Sequence, residues 1–393
     1  MYRIAVVSSY FPTREQPYRG HTAYQTLRQL RRFAEIEVFA PFAIYPRWLT
    51  PRNFPYYRPD VTYCPPDMAA HYFEYPAVPG LSRFLNGWVC SRYLLPYLKK
   101  AKPDLILNYC LYPDGYAAVA AGKILNVPVI LGAIGSDLCR IPDRATRRLT
   151  QKALRGAAAV ITVSAELRQR AILLGAAPER VTAILNGCDS SIFRLGDRGA
   201  ARTGLGLAAD AEVILYVGRL DVNKGLREML AAVARLASGH PRLQLVLVGE
   251  GLFEKELQER AGAAGLGGRV RLPGACSSAE VARWMTAADV FCLPSYSEGC
   301  PNVLVEALAC GRPAVATAVG GIPELVTANC GILVPPRDAE PLADALAAAL
   351  LRHWDEPAIA RQFRRGWDDV AVEADVICRG ALSSGRPVLE SIR

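Results

Sequence analysis

The stretch "VFCLPSYSEGCPNVLVEALACGRPAVAT", residues 290–317, contains one complete unit of an α/β fold. Its apolar runs at 290–295 and 313–317 predict strands, and the apolar run at 302–311 predicts a helix. A strand, a loop with glycine and proline, a helix and a second strand in this order predict parallel strands with a helical crossover. The loop residues therefore lie where a strand ends and a helix begins.

The same alternation extends in both directions from this stretch. Further strands are predicted at 3–9, 35–41, 104–110, 128–134, 158–164, 181–187, 212–219, 243–251, 269–274 and 331–336. Further helices are predicted at 22–33, 114–125, 145–156, 225–237, 252–265, 278–288 and 338–351. The pattern indicates two doubly wound, Rossmann-like α/β domains. A ligand of such domains lies beyond the carboxyl ends of the strands, and we expect it in a cleft between the two.

The length of 393 residues fits two domains. The stretch "NGCDSSIFRLGDRGAARTG", residues 186–204, is polar and turn-rich, which predicts a linker. We expect a first domain over 1–195 and a second over 196–364. Between the predicted strands and helices, residues 41–103 are predicted to be largely irregular because tyrosine, proline and arginine are frequent there.

The bulk composition excludes several classes of protein. A hydrophobic content of 51% with 21% charged residues excludes a disordered chain. No apolar run approaches the roughly 18 residues of a spanning helix, and the first apolar run is too short for a signal peptide. We therefore expect a cytoplasmic protein. The 11 cysteines lack a paired C-x2-C pattern, which favours reduced thiols over a disulfide framework or a zinc site.

Positive charge is concentrated in the first half. Residues 1–200 hold 26 Lys and Arg against 14 Asp and Glu, a net charge of +12, and the remaining 193 residues hold 20 against 23, a net charge of −3. This asymmetry favours an anionic partner, or else a solubilising arginine-rich face. Nucleic acid is not expected, because no helix-turn-helix, RNP-like or zinc-finger pattern is present.

One segment of the first half, "LSRFLNGWVCSRYLLPYLKKAKP" at 81–103, is basic, aromatic and apolar at once. Such a composition suits a helix at the head groups of an anionic membrane surface. It equally suits a helix that packs on the core and keeps its basic ends in water. Both interpretations stay open at this point.

Charged residues follow two predicted strands of the second half. In "YVGRLDVNKG", residues 216–225, Arg219 and Lys224 flank a loop after a strand, where two cations can hold a diphosphate. The alternative is an ordinary solvated loop.

In the opening stretch, Glu298 lies in the loop and Glu306 lies about one turn into the apolar helix, while Pro301 suits the first helical turn. Carboxylates accept hydrogen bonds from pairs of sugar hydroxyls, so two of them can bracket a sugar and a ribose. The alternative is a pair of surface charges near a helix N-terminus.

These motifs together resemble those of the retaining glycosyltransferases of GT-B fold, family 4. The E-x7-E pair in "SEGCPNVLVEALACG" is similar to the donor-site signature of that family. "YVGRLDVNKG" resembles its diphosphate loop and "LNGCDSSIF" its linker motif, and "LVLVGEG" and "VRLPG" match in order and position. The resemblance spans nearly the whole chain and is strongest over 180–336.

The resemblance implies roles for specific residues. Glu298 would contact hydroxyls of the donor sugar, Glu306 would bind the ribose, and Arg219 and Lys224 would bind the diphosphate. The implied catalytic residues are Arg219, Lys224 and Glu298. The implied donor-binding residues are Gly20, Gly218, Arg219, Lys224, Gly249, Glu250, Glu298, Gly299, Cys300, Pro301, Asn302, Val303 and Glu306. No cofactor is expected, since the nucleotide-sugar is a substrate, and no metal, since no D-x-D motif is present.

The first half departs from the family pattern. A second glycine is replaced by His21 after Gly20, and a histidine near the reacting centre is replaced by Ile134 in "GAIGSD". "LNYCLYPDG", residues 107–115, likewise lacks the two histidines of a similar turn. The enzyme is then either active through stabilisation of the leaving diphosphate or weakened. The acceptor-side candidates are His21, Asp114, Ser136 and Asp137.

The resemblance implies a metal-independent hexosyltransferase that moves a sugar from a nucleotide-sugar to a lipid-linked or saccharide acceptor with retention. Polysaccharide or glycolipid assembly at the cell surface, with peripheral membrane association, would fit. It also implies that a tail from about 365 crosses back onto the first domain, with Trp367 near the crossing. Two rival hypotheses are a silent GT-B module that binds a partner protein and a GT-B sugar-nucleotide epimerase.

Overall fold

The computed structural model describes residues 1–46, 60–78 and 82–383. The chain forms two compact units. The first contains Met1–Leu185 together with the residues from Trp367 onward, and the second contains Asn186–Gly366. The first unit thus ends upstream of the expected boundary between residues 195 and 196.

The first unit contains a parallel sheet in the order β3-β2-β1-β4-β5-β6-β7. Its strands are β1 (Tyr2–Val7), β2 (Ala34–Ile44), β3 (Ala70–Pro76), β4 (Leu105–Tyr109), β5 (Val129–Ala133), β6 (Ala159–Thr162) and β7 (Val181–Ala183). Its helices are α1 (His21–Leu30), α2 (Arg83–Ala101), α3 (Tyr116–Leu125), α4 (Ser136–Cys139), α5 (Arg144–Gly156), α6 (Ala165–Leu173) and the last described helix of the chain, α15 (Trp367–Ser383). The central strands are buried on both faces, as expected for parallel strands covered by helices.

The expectation of an irregular segment over 41–103 was wrong for most of its described residues. β2 continues to Ile44, and β3 pairs with it in register from Val38 opposite Ala70 to Ile44 opposite Pro76. α2 covers most of the rest. Aromatic residues of β3 such as Tyr72 are buried in the core, so the aromatic composition marked a packed strand. Residues 47–59 and 79–81 lie outside the described residues.

Helix α15 completes the core of the first unit. Trp367, Ala371 and Cys378 are buried together with β1 and α1. The Tyr2 hydroxyl donates to Asp375 Oδ1 at 2.7 Å, which fixes the helix against the first strand. The last described helix is therefore part of the first unit.

The second unit contains a parallel sheet in the order β10-β9-β8-β11-β12-β13. This is the strand order of a doubly wound Rossmann fold. Its strands are β8 (Glu212–Val217), β9 (Leu243–Val248), β10 (Val270–Gly274), β11 (Val290–Leu293), β12 (Ala314–Thr317) and β13 (Gly331–Val334). Its helices are α7 (Arg198–Gly204), α8 (Leu226–Leu236), α9 (Glu254–Ala263), α10 (Ser278–Ala287), α11 (Asn302–Ala309), α12 (Ile322–Leu325), α13 (Ala339–Leu351) and α14 (Glu356–Gln362). The prediction of two doubly wound α/β domains is confirmed.

Part of the predicted linker is helical. α7 lies inside the stretch 186–204, and the side chain of Asp197 caps it by accepting from the Ala200 backbone N–H at 3.0 Å. An aspartate at this position stabilises a helix start because it satisfies a backbone donor that has no partner in the helix. The short alanine- and glycine-containing helix carried too weak a pattern to be predicted.

A buried arginine ties helix α14 to the body of the second unit. The Arg312 side chain is only 1% exposed, and its Nη1 donates to the Ala288 carbonyl at 3.0 Å and to Glu356 Oε1 at 3.2 Å. Its Nε donates to the Cys310 carbonyl at 3.2 Å. Glu356 also pairs with Arg198, so the two arginines share one carboxylate.

We expect Arg312→Ala to lower the free energy of unfolding by about 3 kcal/mol, because buried carbonyl groups lose their donor and a cavity replaces the arginine side chain. Urea-induced unfolding followed by tryptophan fluorescence measures this. Arg235→Ala is the matched control, because Arg235 also pairs with a glutamate of this unit, Glu340, but both side chains are more than half exposed. The control should lose less than about 1 kcal/mol. Equal losses in the two variants would contradict the proposed importance of the buried pair.

Candidate active site

The loops at the carboxyl edge of the second sheet are joined by backbone hydrogen bonds. Leu220 N donates to Glu250 O at 2.9 Å, which links the loops after β8 and β9. Tyr296 N donates to Asn223 O at 3.1 Å, which links the loops after β8 and β11. Gly299, in the loop after β11, accepts from the loop after β12 at 2.9 Å. These bonds bring the motifs predicted to hold the donor to one edge of the sheet.

Gly225, the last residue of the stretch "YVGRLDVNKG", allows a close approach of two loops. Gly225 has φ +67°, and a Cβ atom there would lie 2.0 Å from the Pro294 carbonyl oxygen. A side chain at this position would meet both a backbone clash and the penalty of a left-handed conformation. The glycine thus holds the Lys224 loop against the start of the Glu298 loop.

Two of the predicted site residues form an ion pair. Lys224 Nζ lies 2.6 Å from Glu298 Oε1, and the two side chains are 21% and 13% exposed. Sequence reasoning gave these residues separate ligand groups and did not predict their contact. Because the pair is largely removed from water, it holds the carboxylate in one orientation.

Arg219 differs from Lys224 in its surroundings. Its side chain is 79% exposed, and the nearest carboxylate, of Asp221, is 4.0 Å away. Asp221 caps the short turn that carries Lys224 by accepting from the Asn223 backbone N–H at 3.2 Å. The guanidinium group is therefore accessible to an anionic ligand.

Pro301 is the residue before helix α11, which begins at Asn302, so the prediction that proline occupies the first turn was wrong by one position. The amide of Asn186 fixes this junction. Its Nδ2 donates to the Cys300 carbonyl at 2.9 Å and to Asn302 Oδ1 at 2.7 Å. The backbone N–H groups of Asn302 and Val303 belong to the first turn of α11. Sequence reasoning assigned no role to Asn186, although it lies in the motif "LNGCDSSIF".

Cys300 lies in the same loop and is buried. Burial raises the pKa of its thiol to about 11. The thiol is therefore protonated at neutral pH and is not a nucleophile.

Glu306 lies on α11 and is half-buried. Burial raises the pKa of its carboxyl from 4.5 to about 7. Within the described ranges its side chain has no hydrogen-bond or salt-bridge partner. A carboxylate that is removed from water without a partner is costly, and two hydroxyl donors of a ligand would remove that cost.

In the first unit, Gly20 and His21 begin helix α1. Gly20 has φ +63°, and a Cβ atom there would lie 2.1 Å from the Tyr10 carbonyl oxygen, so this position requires glycine. The His21 ring lies against Trp367 in an edge-to-face contact, with 6.3 Å between ring centres. Burial lowers the pKa of His21, and the nearby Arg28 cation lowers it further. His21 is therefore neutral at physiological pH and packs against the last helix.

The two candidate aspartates of the first unit hold backbone groups. Asp114 is fully buried, and its Oδ2 accepts from the Ser9 backbone N–H at 2.6 Å, while burial raises its pKa to about 6. Asp137 accepts from the backbone N–H groups of Gly135 at 3.0 Å and Leu111 at 3.3 Å. The carboxylates thus join the loops after β1, β4 and β5.

The other two positions of interest in the first unit lie close to these loops. Ser136 is the first residue of α4. Ile134, in place of the family histidine, is partly buried and packs against the core of the unit.

Two kinds of feature are absent from the described part of the chain. No group of three or more His, Cys, Asp or Glu side chains among the described residues is arranged to hold a metal ion. None of the described helices is long and apolar enough to cross a membrane.

Two family profiles match consecutive parts of the chain. "Glycosyltransferase Family 4" matches residues 20–192, and "Glycosyl transferases group 1" matches residues 197–364. The second match contains Arg219, Lys224, Glu298 and Glu306.

Two curated relatives from Catenulispora acidiphila are D-inositol 3-phosphate glycosyltransferases. D-inositol 3-phosphate glycosyltransferase 1 is 35% identical over 246 residues, which cover 58% of this chain and 58% of the relative. D-inositol 3-phosphate glycosyltransferase 2 is 34% identical over 276 residues, which cover 66% of this chain and 63% of the relative. The chain therefore spans about three fifths of the length of the curated relatives it matches.

A crystal structure of Anabaena HepE in complex with UDP has the same fold. It superposes with a TM-score of 0.75 at 20% sequence identity and covers 96% of this chain and 100% of HepE. Both halves of the sequence, the two Rossmann-like units and the motifs at the second sheet lead to one assignment. The chain belongs to glycosyltransferase family 4, the group 1 glycosyltransferases, and has the GT-B fold.

Proposed function

We propose that the chain transfers a sugar from a nucleotide-sugar donor to an acceptor, with retention of anomeric configuration and without a metal ion. One observation carries the proposal. In the second unit, the Lys224–Glu298 pair joins the loops that follow β8 and β11, and the Glu306 carboxylate, which has no partner among the described residues, lies on the helix that follows. This arrangement offers a cation and two carboxylates to one ligand.

Each group matches one part of a nucleotide-sugar. The Glu306 carboxylate would accept hydrogen bonds from the two ribose hydroxyls. Arg219 and Lys224 would hold the diphosphate together with the N–H groups at the start of α11. Glu298 would accept from hydroxyls of the sugar. The diphosphate would then compete with Glu298 for Lys224, so donor binding rearranges an existing ion pair.

The same groups would stabilise the reaction. The bond between the anomeric carbon and the diphosphate oxygen breaks, and negative charge develops on that oxygen as the acceptor hydroxyl attacks the anomeric carbon and passes its proton to the leaving diphosphate. Positive groups fixed near the leaving oxygen lower the barrier, because they are in place before the charge develops. This contribution needs no imidazole at Ile134, and no cofactor takes part.

The acceptor would carry phosphate. The two Catenulispora relatives are named for D-inositol 3-phosphate, a phosphorylated polyol. The net charge of +12 in residues 1–200 of this chain favours an anionic acceptor of similar chemistry. A saccharide phosphate or a lipid-linked saccharide would fit, as in the assembly of surface polysaccharide or glycolipid.

One face of α2 would lie on an anionic membrane surface. Phe84, Leu85 and Trp88 on this helix lie on one side and are 46–54% exposed. The Arg92 guanidinium stacks over the Trp88 ring at 5.1 Å, and α2 contains no acidic residue. Exposed aromatic rings beside basic groups suit the head-group region of a bilayer.

The donor site is tested by thermal shift with UDP, GDP and ADP and their common sugar conjugates. We expect one nucleotide family to stabilise the protein, by about 2.7 kcal/mol when the ligand is at 100 times its dissociation constant. Glu306→Ala should lose most of this stabilisation because the ribose loses its acceptor. Sugar release from the matching conjugate, measured with a phosphorylated acceptor, then tests transfer.

Glu259→Gln is the matched control for charge, since Glu259 is an exposed residue of the same unit. It should bind nucleotide as the wild type does. If no nucleotide or sugar conjugate at millimolar concentration stabilises the protein, the proposed donor site is contradicted and a silent binding module is favoured. Epimerised donor formed without acceptor would favour an epimerase instead.

The unpartnered Glu306 should make stability without ligand depend on pH. Its folded pKa of about 7 lies above its ordinary value of 4.5. Its contribution to stability is therefore complete below pH 4.5 and is lost as the pH rises through 7. We expect Glu306→Gln to stay close to the wild type near pH 4.5 and to exceed it by about 3 kcal/mol at pH 8, because one pKa unit corresponds to about 1.4 kcal/mol and the charged form is no longer buried. Urea unfolding at the two pH values measures this, and a difference independent of pH would contradict it.

The α2 face is tested by sedimentation with vesicles of phosphatidylglycerol or phosphatidylcholine. We expect binding to the anionic vesicles, and we expect Phe84→Ala with Trp88→Ala to weaken it about tenfold or more, because apolar contact is lost at the interface. Leu351→Ala with Val376→Ala is the control, because these exposed apolar residues lie outside α2. Equal weakening by both pairs, or no binding to anionic vesicles, would exclude this surface.

A further inference from the structure

The first unit contains a cavity that the proposed donor site does not use. It lies among α4, α5 and α6 and has a volume of about 470 Å³. Its walls include Leu138, Arg144, Arg147, Arg170, Leu173 and Leu174. The volume falls within the range of pockets that bind small molecules.

Two of the arginines on the wall are available to a ligand. The side chains of Arg144 and Arg147 make no hydrogen bond or ion pair with any residue that the structure describes. They are three positions apart on α5, so they project from the same side of the helix. Arg170 is paired with Glu166 and is less available.

The one carboxylate among the described residues of the wall is already engaged. Asp143 caps α5 and accepts from the Thr146 backbone N–H at 2.7 Å and from the Thr146 hydroxyl at 2.9 Å. It also lies 3.7 Å from the Arg83 guanidinium. The Asp143 charge is therefore balanced by groups other than Arg144 and Arg147, and the cavity retains a positive character.

The rest of the wall is apolar. Leu138 and Leu174 are buried, whereas Leu173 is 82% exposed. An exposed leucine beside two arginines that have no described partner would suit a ligand with both a hydrocarbon part and an anionic group. A purely hydrophilic phosphate would leave Leu173 in water.

The cavity also lies beside the start of α2. Asp143 lies on its wall and is 3.7 Å from the guanidinium of Arg83, the first residue of α2, which precedes Phe84. On another side, Leu138 belongs to α4, which begins at Ser136 in the turn expected to lie near the acceptor. The cavity thus lies between a surface suited to lipid and a turn suited to the acceptor.

We propose that this cavity binds the phosphate or diphosphate group of a lipid-linked acceptor. Arg144 and Arg147 would contact the phosphate oxygens, and the first part of the hydrocarbon chain would lie on Leu173 and Leu174. The role of this ligand as the acceptor rests on the proposed function, whereas its binding does not.

The test measures binding of two probes to the full chain without nucleotide, by calorimetry. The probes are farnesyl diphosphate below its micelle concentration and inorganic pyrophosphate. We expect both to bind, farnesyl diphosphate more tightly, and Arg144→Gln with Arg147→Gln to weaken both about tenfold or more, because charge-assisted hydrogen bonds are lost. Arg148→Gln with Lys152→Gln is the matched control, because it removes the same charge from α5 outside the cavity wall.

A second variant separates the two parts of the ligand. Leu173→Gln should weaken farnesyl diphosphate severalfold and leave pyrophosphate unchanged. Equal affinity for the two probes would overturn the lipid part of the proposal and indicate a site for free phosphate esters. Binding of neither probe, or equal weakening by the two arginine pairs, would overturn the site itself.

The same preparations distinguish this proposal from the proposed function. Nucleotide binding without binding of either phosphate probe would remove the cavity and leave the transferase function standing. Binding of farnesyl diphosphate that depends on Arg144 and Arg147, without binding of any nucleotide, would keep the lipid-phosphate site and remove the transferase function.

Discussion

The parallel pairing of the strands is the constraint on which the rest of the second unit depends. Because β8 pairs with both β9 and β11 in the same direction, their carboxyl ends meet at one edge of the sheet. Residues far apart in the chain, such as Lys224 and Glu298, thereby come within 2.6 Å of each other. Glycines without a Cβ atom, Gly225 among them, then allow the loops to touch. The positions of the charged side chains in the site thus follow from the pairing of the strands.

The polar groups at this edge are satisfied to different degrees. Glu298 has a lysine partner, and Asn186 holds the start of α11 through two hydrogen bonds. Glu306 has a carboxylate that burial destabilises and that no described side chain compensates. The paired groups keep the loops ordered in the absence of ligand, and the uncompensated desolvation cost falls on the Glu306 carboxylate. A hydroxyl-bearing ligand therefore gains most binding free energy by hydrogen bonding to this carboxylate.

The sequence predicted the alternating architecture because buried parallel strands are continuous apolar runs, which are easy to recognise. It missed β3 because its aromatic residues resemble those of an irregular surface segment, although Tyr72 is buried. It described residues 81–103 as a helix but left open which surface that helix contacts. The E-x7-E motif located Glu298 and Glu306 correctly on a loop and a helix. The Lys224–Glu298 contact could not be predicted, because it depends on which loops the sheet order makes neighbours. That Arg144 and Arg147 have no partner among the described residues is likewise a property of packing that no local pattern contains.

The return of α15 to the first unit has a consequence for how the chain is made. Five residues of α15 belong to a core whose other buried members lie within the first 185 residues: Trp367, Val370, Ala371, Ala374 and Cys378. On a ribosome, the entire second unit is synthesised before these residues emerge. The second unit can fold as a contiguous segment, but the first has to wait with part of its apolar surface uncovered. The chain thus completes its N-terminal half last, and a nascent chain that stops before Trp367 leaves that half open to aggregation and to chaperones.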